Sequence, residues 1–194
     1  MPGKDLINDM HAPSKIPGAK AVIPARVRDA RDFESLSPPE KKIVEAALEE
    51  EHREADIPFH VFLFSSIRPD DLPASAWEKH DAGGHGRKID QLYDIIKRCG
   101  YSRRKPVLLF AVPDGDDRAE ATVEGGHHRL QAVRDLARDG VISRSFKIPC
   151  IICFHFAEKI AADINAGGIQ NAVDELENGR SRLAVPGSKS PTLF

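Results

Sequence analysis

Two glycines, two histidines and an arginine stand together in Gly125-Gly126-His127-His128-Arg129, and residues of these types can make a place for phosphate. Glycine lets a backbone approach a ligand closely and adopt φ > 0. The helical pattern that starts at His127 would aim the unpaired N–H groups of its first turn, and the positive end of its dipole, at the same spot. Arg129 adds a planar fork that matches phosphate oxygens. His127 and His128 bring imidazoles that can bond, move a proton or hold a metal. The plainer alternative is a tight strand-to-helix turn whose polar groups face water.

Glu124 ends the strand just before this turn. It is a candidate to hold Mg²⁺ or to accept a hydroxyl proton, the alternative being a carboxylate that caps the helix dipole. His127 is a candidate to polarise a phosphoryl oxygen or act as base, or else a hydrogen-bonded turn residue. His80, Asp81 and His85 lie in a glycine-containing polar loop, which suits a ligand lid or a loose insertion. A transition-metal site from His80, His85, His127 and His128 is a weaker idea, because adjacent histidines rarely face one ion and no H-E-x-x-H spacing is present.

The elements that must position these groups follow from periodicity and turn chemistry. Val107 to Val112 and Ala119 to Glu124 read as strands joined by the turn sequence Pro113-Asp114-Gly115-Asp116-Asp117, a hairpin that delivers the glycine turn. The helix from about His127 to Arg138 should bury Leu130, Val133, Leu136 and Ala137 and end at Asp139-Gly140. His60 to Phe64 and Ile148 to Phe154 read as further strands. Ser37-Pro38-Pro39-Glu40 has the spacing of a capping box with prolines in the first turn, opening an amphipathic helix over Lys41 to Ala55. Ile89, Leu92, Ile95 and Ile96 form the stripe of another helix that stops at Gly100. Ala157 to Glu177 carries a last helical pattern, interrupted at Ala166-Gly167-Gly168. The expectation is an α+β domain with a small mixed sheet and packed helices over 59–156. A flexible arm is expected at 1–20, a helical extension at 21–58, and a C-terminal helix with a loose tail at 157–194.

The formal net charge is −2, which argues mildly against a general affinity for nucleic acid, although Arg98, Arg103, Arg104 and Lys105 make a local basic cluster. No apolar run is long enough to span a bilayer and the N-terminus lacks an apolar signal core, so a cytoplasmic protein without a membrane partner is expected. The chain has 3 cysteines, an odd number. Cys150 and Cys153 have a C-x-x-C spacing, but on a strand residues three apart face opposite ways, so they read as ordinary buried cysteines. Cys99, before Gly100, reads as structural too.

The order of these pieces resembles the ParB/sulfiredoxin superfamily. In that family a strand runs into a Gly-x-His-Arg-type turn and a helix, as at Gly125 to Arg129. Phe62 to Leu72 is similar to the family's first strand and Pro-containing turn. Lys88-Ile89-Asp90-Gln91-Leu92 is similar to its Lys-Val-x-x-Leu helix start. Lys105 to Phe110 and Ile148 to Ile152 are similar to two further strands, so the likeness covers roughly 60–155. The resemblance implies nucleotide-phosphate binding by Gly125, Gly126, His128 and Arg129, with Lys88 as a second phosphate contact. A lysine near a helix start suits an anion independently of that likeness, though a solvated surface lysine is the plainer reading.

Two departures narrow what the resemblance implies. Sulfiredoxins carry a cysteine where this chain has His127, so sulfinic-acid reduction is not expected. Chromosome-partitioning members carry Gly-Glu-Arg-Arg and a following helix-turn-helix, neither of which is seen here. The expected function is therefore Mg²⁺-dependent phosphoryl transfer from ATP or a related nucleotide to a small hydroxyl acceptor, with Glu124, His127 and His128 as catalytic candidates. A DNA-associated protein (a nuclease or a nucleotide-gated module) and a non-catalytic nucleotide sensor are the rival expectations.

Overall fold

The computed structural model describes residues 19–72 and 85–167. Six strands form one mixed sheet: β1 (Ala21–Pro24), β2 (Arg31–Asp32), β3 (His60–Ile67), β4 (Val107–Pro113), β5 (Arg118–Gly125) and β6 (Ile148–His155), in the order β1-β5-β4-β6-β3-β2. The β4–β6 pair is parallel and the other four pairs are antiparallel. Four α-helices accompany the sheet among the described residues: α1 (Pro38–Glu50), α2 (His85–Cys99), α3 (His127–Arg138) and α4 (Phe156–Gly167).

Alternating side chains send the two faces of the sheet into two cores. Phe62, Leu108, Ile151 and Cys153 meet Val44, Ala47 and Leu48 of α1 on one face. On the other face Val61, Leu109, Val123, Cys150, Ile152 and Phe154 meet Leu130, Val133 and Leu136 of α3, with Ile89 and Ile96 of α2. The C-x-x-C cysteines thus lie on opposite faces of β6. Burial pushes the Cys150 thiol up to about 12 and Cys153 higher still, so neither is a thiolate near neutral pH.

The segment 21–58 is more than a helical extension, because β1 and β2 form the two edges of the sheet. Strands of four and two residues are too short to show an alternating pattern. α1 also ends at Glu50, earlier than its periodicity suggested, and a 3-10 turn over Glu54–Phe59 follows. Positions 168–194 of the expected C-terminal tail, 1–18 of the arm, and the loop residues His80 and Asp81 lie outside the described residues.

α1 begins where the capping spacing predicted. The Glu40 carboxylate accepts the Ser37 N–H at 2.8 Å and the Ser37 hydroxyl at 2.7 Å, and it also binds Arg31. The Arg31 hydrogen bond, followed by those from Ser37, lowers its pKa from 4.5 to about 2. A carboxyl depressed by folding stabilises the fold above its unfolded pKa, and that contribution fades as the pH falls through the folded value. The difference in melting temperature between wild type and Glu40→Gln is therefore expected to be constant above 4.5 and to vanish toward about 2. Because Glu40 is only half-buried and its partner Arg31 is exposed, the difference should be small. A difference that grew on acidification would contradict this assignment.

Candidate functional site

The last residues of β5 are re-aimed just before they reach α3. Leu108 pairs with Gly125 but Leu109 pairs with Val123, leaving Glu124 as an extra residue in a bulge. Bulges of this kind bend a strand and turn a side chain. Gly126 then takes φ 84° and ψ 18°, the left-handed region, and serves as N-cap of α3. A Cβ there would lie 3.0 Å from Arg129 Nη2 and 3.4 Å from Val107 Cα, so only glycine fits without strain. At Gly125 a Cβ would meet Glu51 Oε1 at 2.9 Å.

The start of α3 opens into a cavity of about 420 Å³ between the end of α1 and the first turns of α2. Lys88, Glu124, Gly126, His127, His128 and Arg129 line it, so most residues of the glycine turn come together with Lys88. Gly125 is adjacent and buried beneath Glu51. Lys88 is exposed in the first turn of α2, His127 is buried, and His128 is half-buried. His85 opens α2. Gln91, Leu92 and Ile95 supply a wall from α2. Ile95, part of the apolar stripe of that helix, is 47% exposed at this cavity.

Nothing local in the chain marks the carboxylates that α1 brings here. Arg129 Nη1 donates to Glu50 at 2.9 Å and 3.3 Å, and Nη2 donates to the Pro106 carbonyl at 3.3 Å. Arg129 Nε is buried without a hydrogen-bond partner among the described residues. Burial would lower the Arg129 pKa, but Glu50 and Tyr101 outweigh it and the guanidinium stays charged. Burial likewise pushes the Glu50 carboxyl up, but the hydrogen bond and charge of Arg129, with Lys105 and His128, hold it below its ordinary range. Glu50 is therefore an anion held by one nitrogen of the guanidinium, Nη1.

Glu124 is also engaged. Arg53 Nη1 donates to its Oε2 at 3.1 Å and Thr122 Oγ1 to its Oε1 at 3.4 Å. Arg53 itself lies 4.3 Å above the Phe110 ring and is bound to Asp56 at 2.6 Å. Among the described residues no group of three or more His, Cys, Asp or Glu side chains converges to hold a metal ion. Mg²⁺ commonly needs only one or two carboxylates when phosphates supply the rest. The fit to Mg²⁺ is thus to an ion carried in with a ligand rather than to one caged by the protein.

The arrangement combines a helix N-terminus, an arginine and a lysine with three carboxylates, Glu50, Glu51 and Glu124, in one cleft. The cationic half suits phosphate oxygens and the carboxylates suit a cation or a hydroxyl. Arg103, Arg104 and Lys105 form an exposed turn before β4, near enough for the Lys105 charge to act on Glu50. No helix among the described residues is long and apolar enough to cross a membrane. No protein-family model, curated protein or solved structure matches the chain.

Proposed function

We propose that this cleft binds the phosphates of ATP or a related nucleotide and transfers a phosphoryl group to a small hydroxyl acceptor. The observation that carries the reading is the left-handed Gly126 opening α3 into a cavity shared by Arg129 and Lys88. The order of strands, turn and helices that resembles the ParB/sulfiredoxin superfamily supports it as well. The α3 N-terminus and Arg129 would hold phosphate oxygens, and Lys88 would add a second positive charge from α2. Gln91, Leu92 and Ile95 would flank the rest of the nucleotide.

Mg²⁺, entering with the phosphates, would neutralise charge, and Glu124 is the proposed carboxylate for it. In the transfer the bond from phosphorus to the leaving oxygen breaks as the acceptor oxygen bonds to phosphorus. The acceptor's proton goes to an imidazole of His127 or His128, or to Glu124 where that carboxylate does not hold the ion.

Calorimetry with ATP, ADP, CTP and GTP in Mg²⁺ buffer, followed by a turnover assay, tests this reading. Glu124→Gln is expected to bind nucleotide as wild type does and to lose about 100-fold or more of the turnover, the usual range for an acid–base group. Full turnover in that variant would remove Glu124 from the chemistry. Binding without turnover in the wild-type chain would instead favour a nucleotide sensor.

A second reading, an association with DNA, is favoured by one observation, the exposed basic turn Arg103-Arg104-Lys105, whose Lys105 charge reaches Glu50 of the cleft. It requires salt-sensitive binding in a gel-shift assay. No shift at low salt would rule against it.

A further inference from the structure

The end of α1 lies over the start of α3, and the carboxylates of its last residue, Glu50, and of the capping residue Glu51 sit where an anion would be expected. Glu50 takes two hydrogen bonds from Arg129 Nη1, and Glu51 Oε1 reaches to 2.9 Å from where a Gly125 Cβ would stand. Both line the same cavity as Lys88, His128 and Gly126. A carboxylate and a phosphate present the same feature to a guanidinium, a pair of anionic oxygens in a plane. Charge at this spot also suits the α3 dipole, which favours an anion whether it comes from the protein or from solution.

We infer that Glu50 is an internal stand-in for the ligand phosphate, a latch that a nucleotide must displace from Arg129 in order to bind. This rests on the phosphate reading of the cleft given above.

The geometry supports displacement over a permanent strut. The Glu50 side chain is 42% exposed, whereas that of Arg129 is 16% exposed. Glu50 can therefore swing into water at little cost while Arg129 stays in place. Arg129 is held from its other side by the Pro106 carbonyl, so it keeps its position when Glu50 leaves. Glu50 is also the C-terminal residue of α1, where a carboxylate is disfavoured by the helix dipole. The contact to Arg129 offsets that penalty, and a phosphate competing for Arg129 would bring it back. Anions too weakly charged to outbid Glu50 would be turned away, and a polyphosphate would be admitted.

Calorimetry with two probes, sodium tripolyphosphate and inorganic phosphate, on wild type, Glu50→Gln and Glu51→Gln tests the latch. Glutamine keeps the shape of residue 50 and an oxygen for Arg129 while removing the competing charge. Glu50→Gln is expected to bind tripolyphosphate about 10-fold more tightly, the effect of roughly 1.4 kcal/mol. It should also bind inorganic phosphate measurably, where wild type does not. Glu51→Gln leaves the Arg129 pair intact and should show a smaller gain, which guards against a fold defect in the first variant. Equal tripolyphosphate affinity in wild type and Glu50→Gln would overturn the latch and leave the phosphate site standing. Weaker binding in Glu50→Gln would overturn it too, because Glu50 would then be orienting Arg129 for the ligand. No binding in any of the three proteins would overturn the phosphate site and the latch with it.

Discussion

Replacing Arg129 by alanine is expected to weaken nucleotide binding by at least about 100-fold with little change in the rest of the sheet. A hydrogen bond to a charged group contributes about 1.5–3 kcal/mol, and a fork that makes two of them holds about 3–6 kcal/mol of binding energy. Each 1.4 kcal/mol is roughly a factor of ten. Arg129→Lys should fall between the two, because it keeps the charge and loses the planar fork. The alanine variant leaves Glu50 able to turn to water, so its melting temperature should drop only modestly. Unchanged affinity for ATP in Arg129→Ala, with the protein folded, would mean that the phosphates lie elsewhere.

The second large effect concerns the frame that carries the site. Phe154 is fully buried near the end of β6, opposite Val61 of β3 and Ala111 of β4. Phe154→Ala is expected to cost about 3–5 kcal/mol, since truncating a buried aromatic removes its transfer energy and leaves a cavity. That is a large share of the roughly 5–15 kcal/mol by which a domain is usually stable. Urea unfolding followed by circular dichroism would show the midpoint falling with the slope little changed. A loss below about 1 kcal/mol would contradict the central place of β6 in the sheet.

The hairpin and α3 were legible in the sequence because local signals agreed there. Gly115 takes φ 77° in the turn between β4 and β5, the conformation that a turn rich in Asp and Gly offers. Leu130, Val133 and Leu136 recur at helical spacing and are all fully buried. The glycine turn was legible for the same reason, since Gly126 meets a steric need that its neighbours impose.

The remainder was hidden by distance along the chain. Glu50 meets Arg129 across 79 residues and Arg53 meets Glu124 across 71. Nothing local marks either partner, and an acidic run such as Glu49-Glu50-Glu51 reads as the solvated end of a helix. β1 and β2 were missed because pairing with a neighbouring strand, rather than any pattern of their own, makes them strands. The place of Ile95 was not legible either, because helical spacing alone does not tell a core stripe from the wall of a cleft.

The amide resonances of the site test the central claim most directly. In a two-dimensional NMR titration of the full chain with ATP and Mg²⁺, the N–H signals of Gly125, Gly126, His127, His128 and Arg129 are predicted to move first and furthest. Lys88 in α2 should follow. Saturating nucleotide that left those signals in place, whether or not others moved, would contradict the assignment of the α3 N-terminus as a phosphate site.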